Sequence, residues 1–409
     1  MPEENPRLRS DLRLAAAEVG GQRVVLVQDP LGLLPKPVAL GGQALELVAL
    51  LDGRHSIADI QMALMRLQGG VLVTGEEVAK ALLPLDQALL LDNGRYRAAR
   101  AELVRRFAAQ PALEASHAGE AYPAGGRELA AWLERVLAAP GEAGRPEGQV
   151  CAVVAPHLDP RPAERVYGAA YRPLRGLGFD RVVVLGVGHS LREGLLALTA
   201  KDVDTPLGRI ATDRELVAGL RRAAGRAAAP DDFAFRGEHS VEFQAVFLKH
   251  VLAGGDFRIV PVLCGSPEPA PEADGRAGQA AGLKSFWRAL GRAIAAGPGR
   301  TLLVAGVDLS HIGPKFGHGA DAQALAPESE AHDRALLEAL CAPDAEAFRA
   351  EVRRAQGRFN VCGYGALTGL LELLPRGARG KLLAYHNWHE PPTRSAVSCA
   401  AAVFTLAVK

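Results

Sequence analysis

The sequence predicts an α/β protein with a central mixed sheet flanked by helices, preceded by a small N-terminal domain. From residue 150 onward, apolar runs alternate with segments of helical periodicity, a pattern typical of a sheet with helices on its faces. Most of these runs are continuously apolar, as in strands that are buried on both sides. The length of 409 residues allows two to three domains.

The predicted elements follow one another along the second part of the chain. Strands are expected at Val150–Ala155, Arg181–Gly186, Phe257–Leu263, Thr301–Val307, Lys381–Tyr385 and Ala396–Thr405. Helices are expected at Ala163–Leu177, Asp213–Arg226, Ser240–Leu252, Leu283–Ala296 and Glu328–Leu340. Two stretches rich in Pro and Gly are predicted to be surface loops, Pro140–Gly148 and Gly265–Gly282.

Residues 1–110 predict three short helices followed by a hairpin. A helix within Val38–Gly53 precedes two capping motifs, at Ser56 and Thr74, each with an acidic residue three positions later. The dipeptide Asn93-Gly94 is typical of a hairpin turn. This order is the outline of a winged-helix module, for which DNA binding is the first function to consider.

The charge of this module argues against nucleic acid as a partner. Residues 1–110 contain 13 Lys and Arg and 13 Asp and Glu, and the whole chain has a formal net charge of +1. Phosphate contacts dominate the affinity of proteins for DNA, so a neutral module is a poor candidate for binding it. Docking of a peptide or protein partner, or a purely structural role, remains open for residues 1–110.

Composition also bounds the compartment. No apolar run approaches the ~20 residues that span a bilayer, and the charged N-terminus has no apolar segment of a signal peptide. The odd, scattered set of five cysteines argues against a disulfide framework and for reduced thiols. We therefore expect a cytoplasmic protein that does not bind membranes.

Polar side chains follow several of the predicted strands. His157 and His189 come directly after the first two strands of the α/β part, and Asp308 and His311 follow the fourth. Because ligands in open α/β folds bind beyond the carboxyl ends of the strands, we expect these side chains to form one His-rich site. Neutral imidazole is the commonest metal ligand, so the pattern favours a metal.

Two further polar clusters stand at the starts of predicted helices. Glu242 fits a helix cap, whereas Glu238 and His239 fall before the first turn, where contact with a substrate anion or with a metal ligand is possible. Cys362 precedes another apolar helix, and a thiol at a helix start tends to have a lowered pKa. A buried small residue is the alternative for Cys362.

The order and context of these motifs resemble the Memo-like proteins, a family also called AmmeMemoRadiSam system protein B. The resemblance covers about residues 115–407. The motifs that carry it are Ser116–Gly119 with Tyr122, Ala155–His157, Leu185–His189, Glu238–Glu242, Ile259–Val262, Asp308–His311, Val361–Gly363 and Ala396–Ser398. Each motif is short, but all of them occur in order and in matching strand or helix contexts.

The resemblance implies a fold like that of the class III extradiol dioxygenases and related non-haem iron enzymes. It also implies a metal site formed by His157, His189 and Cys362. Asp308 and His311 match further pocket residues of the family, and a histidine at or near the position of His311 is an acid/base group in the dioxygenase relatives. The resemblance thus implies that His311 is catalytic and that Asp308 supports it.

Some of the remaining pocket residues match the pattern of the Memo-like family, and others depart from it. Glu238 and His239 match a pocket motif of the family whose role is open. Asp159 stands where the family often has Gly, and we expect it to add a carboxylate near the metal. The module of residues 1–110 is an addition that the core family lacks.

The chemistry of two imidazoles and one thiolate can be argued from the residue types. Such ligands suit Fe(II), Cu or Zn, with Fe(II) as the leading candidate, whereas Mg and Ca prefer oxygen ligands. Non-haem iron oxygenases commonly use two His and a carboxylate, and a thiolate is itself oxidisable. The thiolate therefore weakens the prediction of ring cleavage but leaves metal binding intact.

Several functions remain open at this point. The first is a metal-dependent oxidoreductase, in which His311, oriented by Asp308, acts as general base on a substrate hydroxyl. The second is a non-catalytic metal- or peptide-binding accessory protein, with radical-SAM system partners implied by the family's system name. An extradiol-type dioxygenase and a zinc hydrolase are the further alternatives.

Overall fold

The structure is a computed structural model that describes residues 4–34, 36–139, 147–265 and 276–407. The chain divides into two units, Met1–Ala109 and Gln110–Lys409. All five cysteines are free, as the sequence predicts. None of the helices that the structure describes is long and apolar enough to cross a membrane.

The first unit begins with a small antiparallel sheet that the sequence did not predict. Its elements are β1 (Arg13–Val19), β2 (Gln22–Gln28), β3 (Val38–Leu40), α1 (Gln43–Ala49), α2 (Ile57–Leu67), α3 (Gly75–Gln87) and α4 (Gly94–Ala109). Gly20 and Gly21, both with positive φ, join β1 to β2. A two-residue turn of this kind requires positive φ at both positions, which glycine adopts without steric cost.

Both predicted helix starts in the first unit are confirmed. Ser56 and Thr74 each accept a hydrogen bond from the backbone N–H three residues on, at 3.2 Å in both cases. The carboxylates of Asp59 and Glu77 accept in return from the backbone N–H of the capping residue. These reciprocal bonds satisfy N–H groups that a helix start leaves without an intrahelical partner.

The predicted hairpin at Asn93-Gly94 is wrong, because α4 begins at Gly94. The side-chain oxygen of Asn93 accepts from the backbone N–H groups of Arg95 and Tyr96 at 3.0 and 3.1 Å. Asparagine favours helix starts as well as turns, and here the helix start is the outcome. The first unit does contain a hairpin, β1–β2, but it precedes the helices, whereas the predicted winged-helix order places the hairpin after them.

The second unit confirms the predicted alternation of strands and helices. Its elements are β4 (Ala112–Leu113), α5 (Gly126–Ala138), β5 (Gln149–Ala155), α6 (Pro160–Tyr171), β6 (Arg181–Val187), β7 (Leu196–Leu198), β8 (Asp202–Val203), α7 (Arg214–Ala224), α8 (His239–Val251), β9 (Arg258–Cys264), α9 (Arg276–Ala296), β10 (Thr301–Gly306), β11 (Asp308–Ile312), α10 (Ala322–Cys341), α11 (Ala345–Ala355), α12 (Tyr364–Leu373), β12 (Arg379–Glu390) and β13 (Ser395–Leu406).

The two predicted surface loops have different outcomes. Helix α9 occupies residues 276–282, so the loop predicted over Gly265–Gly282 is wrong at its C-terminal end. Residues 266–275 lie outside the described residues. Most of Pro140–Gly148 also lies outside them, namely residues 140–146.

One mixed sheet of eight strands forms the centre of the second unit. Its order is β11-β13-β5-β10-β6-β9-β7, and β12 pairs with the other side of β13. The four strands β5, β10, β6 and β9 are parallel, whereas β13 is antiparallel to β5. Buried apolar side chains such as Val153, Val183 and Leu303 fill these central strands. The parallel arrangement aligns the carboxyl ends of β5, β10 and β6 at one edge, where His157, Asp308 and His189 follow them.

Candidate metal site

His157 lies at the end of β5 and is 2% exposed. Its Nδ1 is 2.9 Å from the carbonyl oxygen of Gly306, and its backbone N–H donates to Oδ1 of Asp308 at 3.0 Å. Because a carbonyl oxygen only accepts, Nδ1 carries the proton and Nε2 presents its lone pair. Burial, reinforced by the neighbouring His189, lowers the pKa of His157 to about 3, so the ring is neutral and able to bind a metal.

His189 follows β6 and is oriented by Glu238. Its Nδ1 is 3.0 and 3.1 Å from the two carboxylate oxygens of Glu238, which also accepts from the backbone N–H of His189. Glu238 caps α8 by accepting from the N–H of Ser240 at 2.9 Å. Burial opposes its ionisation, but the hydrogen bond with His189 holds the pKa of Glu238 at about 2. A carboxylate behind an imidazole is the usual support for a metal-binding histidine.

Cys362 stands directly before α12, whose N-cap is Gly363. Its Sγ lies 3.5 Å from Nε2 of His157 and 3.6 Å from the carbonyl oxygen of Asp308. Burial raises the pKa of Cys362 well above its usual range, and the Asp308 carboxylate adds to this effect. The expected lowering at a helix start is therefore outweighed by desolvation. A bound cation would reverse this balance, because a coordinating thiol loses its proton.

His157, His189 and Cys362 form the His–Cys cluster. One ligand atom from each of them lies within 4.8 Å of the other two. The imidazole rings of His157 and His189 meet edge to face, with centroids 5.0 Å apart. Two nitrogen donors and one sulfur donor fit the metals that the residue types predict, Fe(II), Cu and Zn.

A second group consists of His189, Glu238 and His239, whose ligand atoms also lie within 4.8 Å of one another. The His239 ring stacks on His189 at 5.0 Å and stands perpendicular to His157 at 5.2 Å. The carboxylate of Glu238 already accepts from His189 and Ser240, so the His–Cys cluster is the better metal site. Burial lowers the pKa of His239 to about 3, so it adds a neutral imidazole beside the cluster.

Asp308 and His311 both lie on β11, and the hydrogen bonds of the described residues include none between their side chains. Asp308 is buried beside His157, with Oδ2 3.6 Å from Nε2 of that ring. Nδ1 of His311 lies 2.9 Å from the carbonyl oxygen of Leu309, which orients the ring. The Asp308 carboxylate opposes the effect of burial on the pKa of His311, and its orienting role stays a prediction. Burial lowers the pKa of His311, which leaves a neutral imidazole able to accept a proton.

Asp159 is exposed and caps α6, where its Oδ1 accepts from the backbone N–H of Arg161 at 2.9 Å. Among the residues that the structure describes, Asp159 belongs to neither group of metal-ligand atoms. The expected carboxylate near the metal is thus not brought there. An Asp directly before a Pro at the first helical position, here Pro160, is a strong signal of a helix start, and this signal accounts for the residue.

The motif at residues 116–122 is joined to α8 by Glu242. The Glu242 carboxylate accepts from Tyr122 OH at 2.6 Å, from Ser116 Oγ at 2.8 Å and from the N–H and Nδ1 of His117, each at 2.9 Å. Glu242 is therefore not a helix cap. These bonds place the His117 ring 5.7 Å from that of His239. The motifs carried a signal for these residues and for Glu242, but not for the contacts between them.

A mixed α/β fold with a His–Cys cluster at the carboxyl edge of its parallel strands defines a class of candidate metal-binding proteins. A family model described as "Memo-like protein" matches residues 113–403. This chain belongs to the Memo-like family, which confirms the resemblance of its motifs.

Two relatives match this chain over more residues than the family model does. A MEMO1 family protein of Aquifex aeolicus is 30% identical over 382 residues, covering 93% of this chain and 95% of the relative. One from Thermus thermophilus is 32% identical over 350 residues, covering 85% of this chain and 98% of the relative. An uncharacterized Escherichia coli protein of known structure covers 62% of this chain with a TM-score of 0.36 and 15% identity.

The comparisons refine the expectation for the first unit. The family model begins at residue 113, so residues 1–110 lie outside the family's core, as expected. The Aquifex aeolicus relative nevertheless covers 93% of this chain and therefore most of the first unit. The N-terminal addition is thus shared with at least this relative.

Proposed function

We propose that this chain is a metal-binding protein whose ligands are His157, His189 and Cys362. The observation that carries the proposal is the 3.5 Å approach of Cys362 Sγ to Nε2 of His157, within a cluster that His189 completes. Both imidazoles have an acceptor behind Nδ1, which directs the opposite nitrogen to the ligand role. Fe(II) is the leading candidate metal, and Cu and Zn also suit two imidazoles and one thiolate.

The best-supported activity is that of a metal-dependent oxidoreductase. The metal would supply Lewis-acid and redox chemistry when bound. The chain's own residues would orient and deprotonate a substrate: Glu238 holds the His189 ring, and the neutral His311 takes a proton from a substrate hydroxyl. Asp308 acts on the cluster side, where it holds the backbone of His157.

Three alternatives use the same cluster. A non-catalytic accessory protein of a radical-SAM-associated system needs metal or peptide binding without turnover. An extradiol-type dioxygenase, with the fold of that class, needs O₂ activation beside an oxidisable thiolate. A zinc hydrolase needs Zn as the resident metal. Metal identity and O₂ uptake separate these alternatives.

The test is metal content after anaerobic purification from cytoplasmic extract. We expect about one metal per chain in the unmodified protein and a loss of more than about tenfold in Cys362→Ala and His189→Ala. Cys264→Ala is the matched control, because Cys264 is a buried cysteine on β9 and belongs to neither group. If Cys362→Ala and His189→Ala keep their metal, the site is wrongly assigned. Absence of O₂ uptake with catechols by the loaded protein would count strongly against the dioxygenase.

We also propose that residues 1–110 dock a protein or peptide partner. Seven of the eight exposed large hydrophobic side chains that the structure describes lie in the first unit, among them Val71 at 60% and Leu72 at 72% exposure. The radical-SAM protein of the system is the partner to test by co-purification with the full chain. We expect Leu72→Asp to lose the partner and Leu382→Asp, an exposed apolar position in the second unit, to retain it. If both variants retain the partner equally, docking through the exposed apolar side chains of the first unit is refuted.

A further inference from the structure

A one-residue bulge interrupts the strand that carries Asp308 and His311. Asp308 of β11 pairs with Cys399 of β13, whereas His311 pairs with Val397, so the register shifts between them. Two residues of β11, Leu309 and Ser310, therefore oppose a single residue of β13, Ser398. This two-against-one pairing is the definition of a β-bulge.

The bulge determines where His311 points. In a regular strand, residues three positions apart point to opposite faces of the sheet. Cys399 and Val397 are two positions apart on β13 and share a face, and directly paired residues of neighbouring strands also share a face. Asp308 and His311 consequently lie on the same face of β11. Without the extra residue, His311 would pair with Ala396 and would face away from Asp308.

A buried polar network satisfies the backbone group that the bulge leaves without a strand partner. The N–H of Ser310 donates to Oγ of Ser398 at 2.9 Å. The hydroxyls of Ser310 and Ser398 contact Asp333 of α10 at 2.7 and 2.5 Å. Tyr385 of β12 donates to the same carboxylate at 2.8 Å.

The burial of this network makes its pairing essential to the local structure. Ser310, Ser398 and Asp333 are each no more than 2% exposed. An unsatisfied buried N–H or carboxylate is costly, so the bulge is stable only while its partners are in place. The network thus connects α10, β12 and β13 to the short segment of β11 between Asp308 and His311.

We propose that Ser398 and Asp333 are positioning residues that hold the bulge of β11 and thereby keep His311 on the same face as Asp308. The proposal deepens the proposed function, in which His311 is the base. Ser398 and Asp333 thereby gain a role beside the metal site, although their hydrogen bonds in the described residues include none to the His–Cys cluster. Ser398 acts through the backbone of Ser310, and Asp333 fixes the hydroxyl of Ser398.

The test uses nitrogen NMR of the histidine rings in the full-length protein, both metal-free and zinc-loaded, with His311→Gln to assign the His311 signals. In the unmodified protein, we expect the tautomer with the proton on Nδ1, as the Leu309 carbonyl requires. In Ser398→Ala, we expect this tautomer signature to be lost and the Ser310 amide to exchange at least about fivefold faster. Ser398→Thr keeps the hydroxyl and should restore both signals.

Ser310→Ala is the matched control. It removes a hydroxyl from the same network but keeps the backbone N–H that Ser398 satisfies, so the His311 signals should remain. Unchanged His311 signals and Ser310 exchange in Ser398→Ala would overturn the proposal. If Ser398→Ala does not fold, Asp333→Asn decides by the same two measurements. Metal content separates the two claims: a failure of the unmodified protein to bind Fe(II), Cu or Zn refutes the metal site, whereas the bulge is judged in the metal-free protein.

Discussion

Glu238→Gln tests the support of the proposed metal ligand His189. The substitution preserves the shape of the side chain, but the amide presents a donor nitrogen where the carboxylate presented a second acceptor. In the unmodified protein, Glu238 accepts hydrogen bonds from Nδ1 and the backbone N–H of His189 and from the N–H of Ser240. A glutamine can accept only through its one oxygen, so at least one of these N–H groups loses its acceptor and the hold on the His189 ring is weakened.

The expected magnitude follows from the loss of this support. Removing the partner of a metal-binding histidine typically lowers metal affinity by about 10- to 100-fold, or about 1.4–2.7 kcal/mol. The weaker cap of α8 should lower the free energy of unfolding by about 1 kcal/mol. Competition with a chelator measures the first quantity, and denaturant unfolding of the metal-free protein measures the second.

Glu242→Gln is the matched control for this prediction. Glu242 lies one turn along α8 and is also buried, but its carboxylate holds Ser116, His117 and Tyr122 instead of a cluster residue. We expect Glu242→Gln to destabilise the protein while metal affinity stays within about threefold of the unmodified value. Unchanged affinity in Glu238→Gln, or an equal loss in both variants, would refute the orienting role of Glu238.

Three further predictions concern stability. The folded-state pKa of His157 is about 3 against an ordinary 6.5, so below pH 6.5 the unfolded chain binds more protons. The metal-free protein should therefore lose about 2 kcal/mol of unfolding free energy through this residue between pH 7.5 and pH 5, and His157→Gln should remove that slope in denaturant titrations. Asp159→Ala should cost about 1 kcal/mol as a lost helix cap while metal content stays unchanged, and a loss of metal would restore Asp159 to the site. Thr74→Ala should destabilise the first unit by about 1 kcal/mol in thermal unfolding, and an unchanged transition would contradict the capping role.

Periodicity predicted the α/β part well because its strands are continuously buried and its helices have apolar stripes. The first unit was harder, since β1 is exposed along most of its length and carries no alternation of burial. Asn93-Gly94 shows a second limit. The same two residues suit a hairpin turn or a helix start, and tertiary context decides between them.

Some residues of the candidate site could be predicted from local sequence patterns, and others could not. Strand ends predicted His157 and His189, because the position of a residue after a parallel strand is visible in the sequence. The grouping of Cys362 with them came from the resemblance to the Memo-like family. The bulge at Ser310 and the carboxylate of Asp333 have no local sequence signal, because cross-strand register depends on pairing between residues 88 positions apart. Local patterns do not report such pairings.

X-ray absorption at the edge of the bound metal tests the proposed ligand set most directly. The protein is purified anaerobically with its own metal, or loaded with Fe(II), Cu or Zn in turn. We expect one sulfur and two imidazole nitrogens among the ligands, with the sulfur absent from Cys362→Ser and present in Cys264→Ser. A shell of oxygen and nitrogen alone in the unmodified protein, or a sulfur that persists in Cys362→Ser, would contradict the His157, His189 and Cys362 site.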